Sequence, residues 1–489
     1  MALSHPTLAA IRFGYGLRPG EEPPADAEAL LAQIEEGVSE KPGFPREGAA
    51  GRLENATRVL SVLAAEAKAR RAGNPNEGIR RETQREVQRT YRLDAMARMA
   101  NAIHSPLGFY ERLAGFWVDH FSTSVLKALP MRMIVPLYEA QAIRPNIGGS
   151  FSKLLSAAIL HPAMLIYLDQ NQSVGPDSPA GRRNRRGLNE NLGRELLELH
   201  TLGAGSGYTQ DDVRAAALVL TGLTVDNRTL EVVYQPQLAE GGPITLLGRT
   251  YEDDEGDGQD HVLMLEDLAG SPKTARHVSR KLVRHFIADD PPDDMVEPMV
   301  EAWMRSQGNL TEIYRTMLSH PRAWAEPGRK IKQPFEFVVS GFRALGLPEK
   351  NFANLVSDLD DEDEGPVGKA MEMAGAAATR EEARRKARRA NALTLGALQR
   401  MGQPVWQPPS PAGFADEVSV WLSASQLSER IAWSRMIART FGQKTEPSAF
   451  LEAALGDAAR PETRQIVAQA PSKVHGITMV LASPEFNRR

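Results

Sequence analysis

The run Gly187-Leu188-Asn189-Glu190-Asn191-Leu192-Gly193-Arg194-Glu195-Leu196-Leu197-Glu198-Leu199-His200 decides the fold class. Its leucines recur at spacings of three and four, which at about 100° per residue puts Leu188, Leu192, Leu196 and Leu199 on one side of a helix. Glu190, Asn191, Arg194, Glu195 and Glu198 fall within an arc of roughly 140° on the opposite side, and His200 leans away from them toward Leu196. The same spacing, in Ala-, Leu-, Glu- and Arg-rich sequence cut at short intervals by Pro or Gly, runs through most of the chain. This predicts a mainly α protein, a compact multi-helix assembly. The one strong strand signal is Thr229 to Tyr234 (TLEVVY), followed across a Gly-Gly-Pro turn by Ile244 to Thr250 (ITLLGRT). It predicts a single small β-hairpin inserted at about residues 228–251.

The chain has 489 residues, 42% of them hydrophobic, which is ample to close a core. Three segments are expected. Residues 1–350 form a helical core that includes a charged helical stretch at 51–100 and the hairpin. Residues 351–392 form a charged linker and helix, where SDLDDEDE at Ser357 to Glu364 precedes a basic run near Arg380 to Arg389. Residues 393–489 form a C-terminal helical part packed on the core, giving one continuous unit. Fifty-eight basic against 62 acidic side chains leave a net charge of −4, so no global field favours nucleic acid or an anionic membrane. The absence of cysteine excludes disulfides, thiolate catalysis and Cys-ligated metal clusters. No apolar run approaches the roughly 18 residues of a membrane span. The opening MALSHPTLAAIRFGYGLRPGEE has no basic region followed by an apolar one, so the default compartment is the cytoplasm.

Standard nucleotide, zinc-protease and serine-hydrolase motifs are absent, and Gly203 to Gly207 reads as a helix cap and loop rather than a dinucleotide fingerprint. The polar arc of Glu190, Asn191, Arg194, Glu195 and Glu198 can hold a hard cation or split two carboxylates into acid and base. It can equally be a surface ladder of Glu190, Arg194 and Glu198. His120 follows Phe109, Leu113 and Phe116 on an apolar helical stripe, either as a core histidine with a partner or as a ligand or base. Asp169 and Asn171, in a polar turn after an apolar helix, cap or ligate. Asp253 to Gly258 matches the first half of a calcium loop, with Met264 where the final carboxylate is needed. Gln403 to Pro409 (QPVWQPP) reads as a packing strap across helices.

Several segments, in order, carry a family resemblance: AAIRFGYGLRPGE at Ala9 to Glu21, FWVDHFSTS at Phe116 to Ser124, PAMLIYLDQNQS at Pro162 to Ser173, and GLNENLGRELLELHTLG at Gly187 to Gly203. It continues through GYTQDDVRAAALVLTG, KTARHVSRKLVRHF, KIKQPFEFVVSGFRALGL, GQPVWQPPSPAGF and the closing LASPEFNRR. The chain resembles the bacterial domain-of-unknown-function 1800 family over nearly its whole length. The resemblance implies a mainly helical single unit. It also implies partnership in the bacterial envelope with an alkaline-phosphatase- or sulfatase-like protein that is encoded nearby and often carries a twin-arginine signal. The family's recurrent polar positions match His120, Asp169, Asn171, Asn189, Glu190, Asn191, Arg194, Glu195 and Glu198, which implies that these meet in one place. Family members often carry an export signal that this sequence lacks, so export would need a signal-bearing partner.

Two functions are consistent with these features. One is a helical accessory or binding protein in which Asn171, Asn189, Glu190, Asn191 and Arg194 organise a ligand or partner. The other is a hydrolase or metal-assisted acid/base enzyme with His120, Asp169, Glu195 and Glu198 as catalytic groups and a divalent cation as cofactor.

Overall fold

Local chemistry sets the helix starts. Asp26, Asn76, Ser150, Thr209 and Asn309 each accept a backbone N–H from the first turn of the helix they open. Proline takes the first helical position after Ser271, Gln333 and Ser483. Such residues satisfy or remove the N–H groups that a helix start leaves without partners. The computed structural model describes residues 3–74, 76–184, 187–252, 259–325, 330–360 and 376–489. These form a mainly α protein with two small antiparallel sheets. The calcium-loop match at Asp253 to Gly258 and most of the acidic run before the basic stretch lie outside the described residues. Among those described, no helix is long and apolar enough to cross a membrane.

The strand signal is real, but its pairing differs from the predicted single hairpin. Val232–Tyr234 pairs with the buried Leu223–Val225, and Ile244–Leu246 pairs with Arg249–Tyr251. The reason is local. Leu247 and Gly248 both take positive φ, 51° and 84°, and close a two-residue turn within ITLLGRT, so that segment folds on itself. The charged stretch at 51–100 also divides, into helices Gly48–Arg71 and Glu77–His104. They are tied side by side by Arg58–Glu86 and by Arg52–Asp94, the latter pair fully buried.

One cluster of buried apolar side chains runs from Ala9 to Phe486. Distant segments close over it. Ile331 and Arg488 form an antiparallel bridge, and Ser4 N–H donates to Asp457. The Gln403–Pro409 segment is a strap, as its sequence suggests: Trp406 C=O accepts from Val125 N–H, and Val405 C=O accepts from the Tyr91 hydroxyl. Further along, Gly413 passes so close to the helix Gly108–His120 that a Cβ there would lie 2.6 Å from the Asp119 carbonyl oxygen. With φ at +82° as well, only glycine fits this crossing.

Candidate active cleft

The stripe Phe109, Leu113, Phe116 and His120, with Trp117, is entirely buried, as its spacing predicts for a core-facing helix. Asp119, one residue from His120, lines a cavity of about 70 Å³ instead. Its walls come from six stretches of the sequence. Tyr15 belongs to the N-terminal segment, and Arg98 to the helix Glu77–His104. Arg112 and Asp119 lie on the helix Gly108–His120, with Ser122 and Thr123 just beyond it. His285 comes from the helix Pro272–Phe286. Gln333 and Glu336 open the helix Pro334–Ala344, and the strap contributes Gln403 and Trp406.

The polar groups form a connected chain. His285 Nδ1 donates to Asp416 Oδ1 at 2.7 Å, and Gln333 Nε2 donates to the same oxygen at 3.2 Å. His285 Nε2 lies 3.2 Å from Arg112 Nη2, which can only donate, so the Nε2 lone pair is the acceptor. Arg112 pairs with Glu336 at 2.9 Å, and Glu336 also meets Arg489 at 3.2 Å. The second Glu336 oxygen accepts from Gln333 N–H at 2.9 Å in a capping box. Arg98 donates through Nε to Glu139 at 2.7 Å, and its guanidinium lies over the rings of Phe335 and Trp406. Glu139 also accepts from Trp406 Nε1 and Arg144 Nε.

Two carboxyls beside this chain are pushed in opposite directions. Burial raises Asp119 to about 7, against the opposing pull of a hydrogen bond from Phe414 N–H to Oδ1 at 2.8 Å. Burial also works against ionisation of Asp416, but His285, Lys330 and Lys281 outweigh it and hold that carboxyl below its usual range.

The structure distributes the residues singled out by sequence over three places. His120 is buried, and burial holds its imidazole well below its usual pKa. Its Nε2 donates to His200 C=O at 3.2 Å, while His200 Nδ1 donates back to His120 C=O at 3.0 Å. Asp169 takes a left-handed backbone conformation and pairs with Lys127 at 2.6 Å. Its carbonyl accepts from Asn189 Nδ2, whose own side-chain oxygen accepts from Asn191 N–H, and Asn171 C=O accepts from Thr224. Glu190 pairs with Arg194 at 3.3 Å and accepts from Gln210, which is the surface ladder in part. Glu195 is half-buried; burial and then the Glu198 charge push its carboxyl up.

No side-chain hydrogen bond or ion pair among the described residues joins His120 to Asp169, Glu195 or Glu198. Nor do three His, Asp or Glu side chains gather there in a metal-holding group. The helix begins at Asn191, so Glu190 precedes it, and Leu196–His200 winds as a wider π turn. That turn breaks the regular angular spacing on which the five-residue arc rests.

Sequence reasoning passed over Asp119, His285, Asp416, Gln333 and Glu336. The capping pattern Gln333-Pro334-Phe335-Glu336 and an acid inside the apolar run FWVDHF were the available signals. Fold and cleft together define a mainly helical protein in which polar side chains from distant segments line one small cavity. The chain belongs to the family described as "Protein of unknown function (DUF1800)", whose model matches residues 8–488. No curated protein and no solved structure matches it.

Proposed function

We propose that the protein is an acid/base enzyme whose reacting groups are Asp119 and the His285–Asp416 pair. One observation carries the reading. A carboxyl poised to hold its proton near neutrality and an imidazole oriented by an ionised carboxylate line the same small cavity. Asp119 gives a proton through its second oxygen, and His285 accepts one at Nε2 when a substrate displaces Arg112 Nη2 from that lone pair. A cavity of about 70 Å³ admits one functional group of a substrate, with the remainder outside. The test is turnover of chromogenic esters, phosphoesters, sulfate esters and glycosides by wild type, Asp119→Asn and His285→Gln. Turnover that both variants lose without a lowered thermal midpoint supports the proposal. Equal turnover in the variants, or none with any class, overturns it.

A second reading, an accessory protein exported with a phosphatase- or sulfatase-like partner, is favoured by one stretch. Val420, Leu422, Leu427 and Ile431, within twelve residues of one another in the sequence after the strap, are each exposed. Co-purification with such a protein is its test, and no complex at micromolar concentration would count against it.

A further inference from the structure

The cleft's polar groups can be sorted by whether the protein already uses them. Gln333 donates to Ala415 C=O and Asp416 and accepts from Gln403, while Gln403 accepts from Phe335 N–H. Trp406 Nε1 is spent on Glu139, and the Tyr15 hydroxyl on Glu111 C=O. Arg112 is divided among Gly14 C=O, Arg12 C=O, His285 and Glu336. Four groups remain without a hydrogen-bond partner among the described residues: the two terminal nitrogens of Arg98, the hydroxyls of Ser122 and Thr123, and the second oxygen of Asp119.

What remains is a donor set. Arg98 offers a guanidinium fork, since Glu139 takes only Nε. That fork is flanked by the Phe335 ring at 4.9 Å and the Trp406 ring at 5.7 Å, which limit its access to water. Both hydroxyls can donate, and so can the Asp119 carboxyl in the fraction that holds its proton. The nearby carboxylates are committed: Glu139 to Arg98 and Arg144, Glu336 to Arg112 and Arg489, Asp416 to His285. A cation entering the cavity would meet the Arg98 charge, with Asp119, itself only partly ionised at neutral pH, as the one uncommitted carboxyl to balance it. A small oxyanion would meet donors on several sides, with the two-pronged geometry that guanidinium groups make with carboxylates and phosphates.

We infer that the cleft recognises a substrate through a terminal oxyanion of carboxylate or phosphate type, bound by Arg98 together with Ser122 and Thr123 beside Asp119. This rests on the acid/base reading for the site but concerns what the site holds, so it is tested by binding rather than by turnover. The full-length protein is titrated calorimetrically at neutral pH with inorganic phosphate and, separately, with acetate, using sodium chloride as control. Saturable one-to-one binding of either anion is expected; the tighter one tells a tetrahedral group from a planar one. Arg98→Gln should weaken it roughly tenfold or more, as loss of charge-assisted hydrogen bonds does.

Because Arg98→Gln also leaves Glu139 short of a partner, the double variant Ser122→Ala/Thr123→Val is the second arm. It leaves the Arg98–Glu139 pair intact and should weaken binding several-fold with an unchanged thermal midpoint. Saturation by neither anion, or affinity unchanged in both variants, overturns the inference. Binding without any turnover leaves the inference standing and removes the catalytic proposal. Turnover of an uncharged substrate, insensitive to Arg98→Gln, does the reverse.

Discussion

The segment Asp169–His200 and the cleft around Asp119 both gather acids, amides and arginine, yet they are built in opposite ways. The first is drawn from one stretch of about thirty residues: Glu190–Arg194 is a four-residue pair, and the Asn189 side chain holds the backbone of Asp169, twenty residues earlier, and of Asn191. It is half-exposed, and water shares its charges. The second is assembled from residues about 300 positions apart, such as Asp119 and Asp416, and each charge within it has a partner that burial makes costly to remove. Spacing along a helix finds the first kind of cluster. Only the packed fold reveals the second.

If burial rather than clustering gives polar groups their weight, mild acid should have the largest effect. His120 and His200 are fully buried and held neutral; burial puts His200 at about 3 and His120 well below its usual value. The unfolded chain binds protons at these two sites below about pH 6.5 and the native state does not, so stability falls as pH falls. From pH 6 to pH 4 the His200 imidazole alone should cost roughly 2–3 kcal/mol, with His120 adding in the same direction, read from denaturant midpoints across that range. A flat profile in the Asp119→Asn background, which removes the opposing titration, would mean that both imidazoles reach water.

Next is Glu336→Ala, which leaves Arg112 and Arg489 buried without their shared carboxylate. A cost of roughly 3–5 kcal/mol is expected in chemical denaturation. Asp119→Asn acts in the other direction. A carboxyl raised to about 7 in the native state favours folding only while protonated, and that contribution is lost as pH rises from about 4 to 7. The variant should therefore match wild type in acid and exceed it above neutrality, by roughly 1–3 kcal/mol once the solvent reaching the cleft is allowed for. Smallest is Arg194→Ala on the exposed ladder, expected to change stability by less than about 0.5 kcal/mol. A cost there as large as that of Glu336→Ala would abolish the contrast between the regions.

The helical class was legible because leucine spacing and capping residues such as Asp26 and Thr209 act over a few residues. The strands were legible too, but not their partners, since the turn at Leu247-Gly248 depends on a left-handed leucine that no propensity favours. For the site, most of the segments lining the cleft were visible as distinctive stretches, including FWVDHF, KLVRHF, KQPFEF and the strap, though the helix that carries Arg98 read only as a charged stretch. That they converge was not visible, because nothing local ties Asp119 to Phe414 or His285 to Asp416. His120 drew notice as a histidine on an apolar stripe, while its neighbour Asp119 faces the cavity. The difference is about 100° of helical rotation, which matters only once both sides of the helix are covered.

The wide turn at Leu196–His200 makes that stretch responsive to the number of its residues as well as to their identity. Excising one position would let it wind regularly and rotate the chain beyond it by about 100°. The His200 ring would then swing off the His120 carbonyl it now holds. A single-codon deletion there should therefore do damage that alanine replacement of Leu199 would not reproduce.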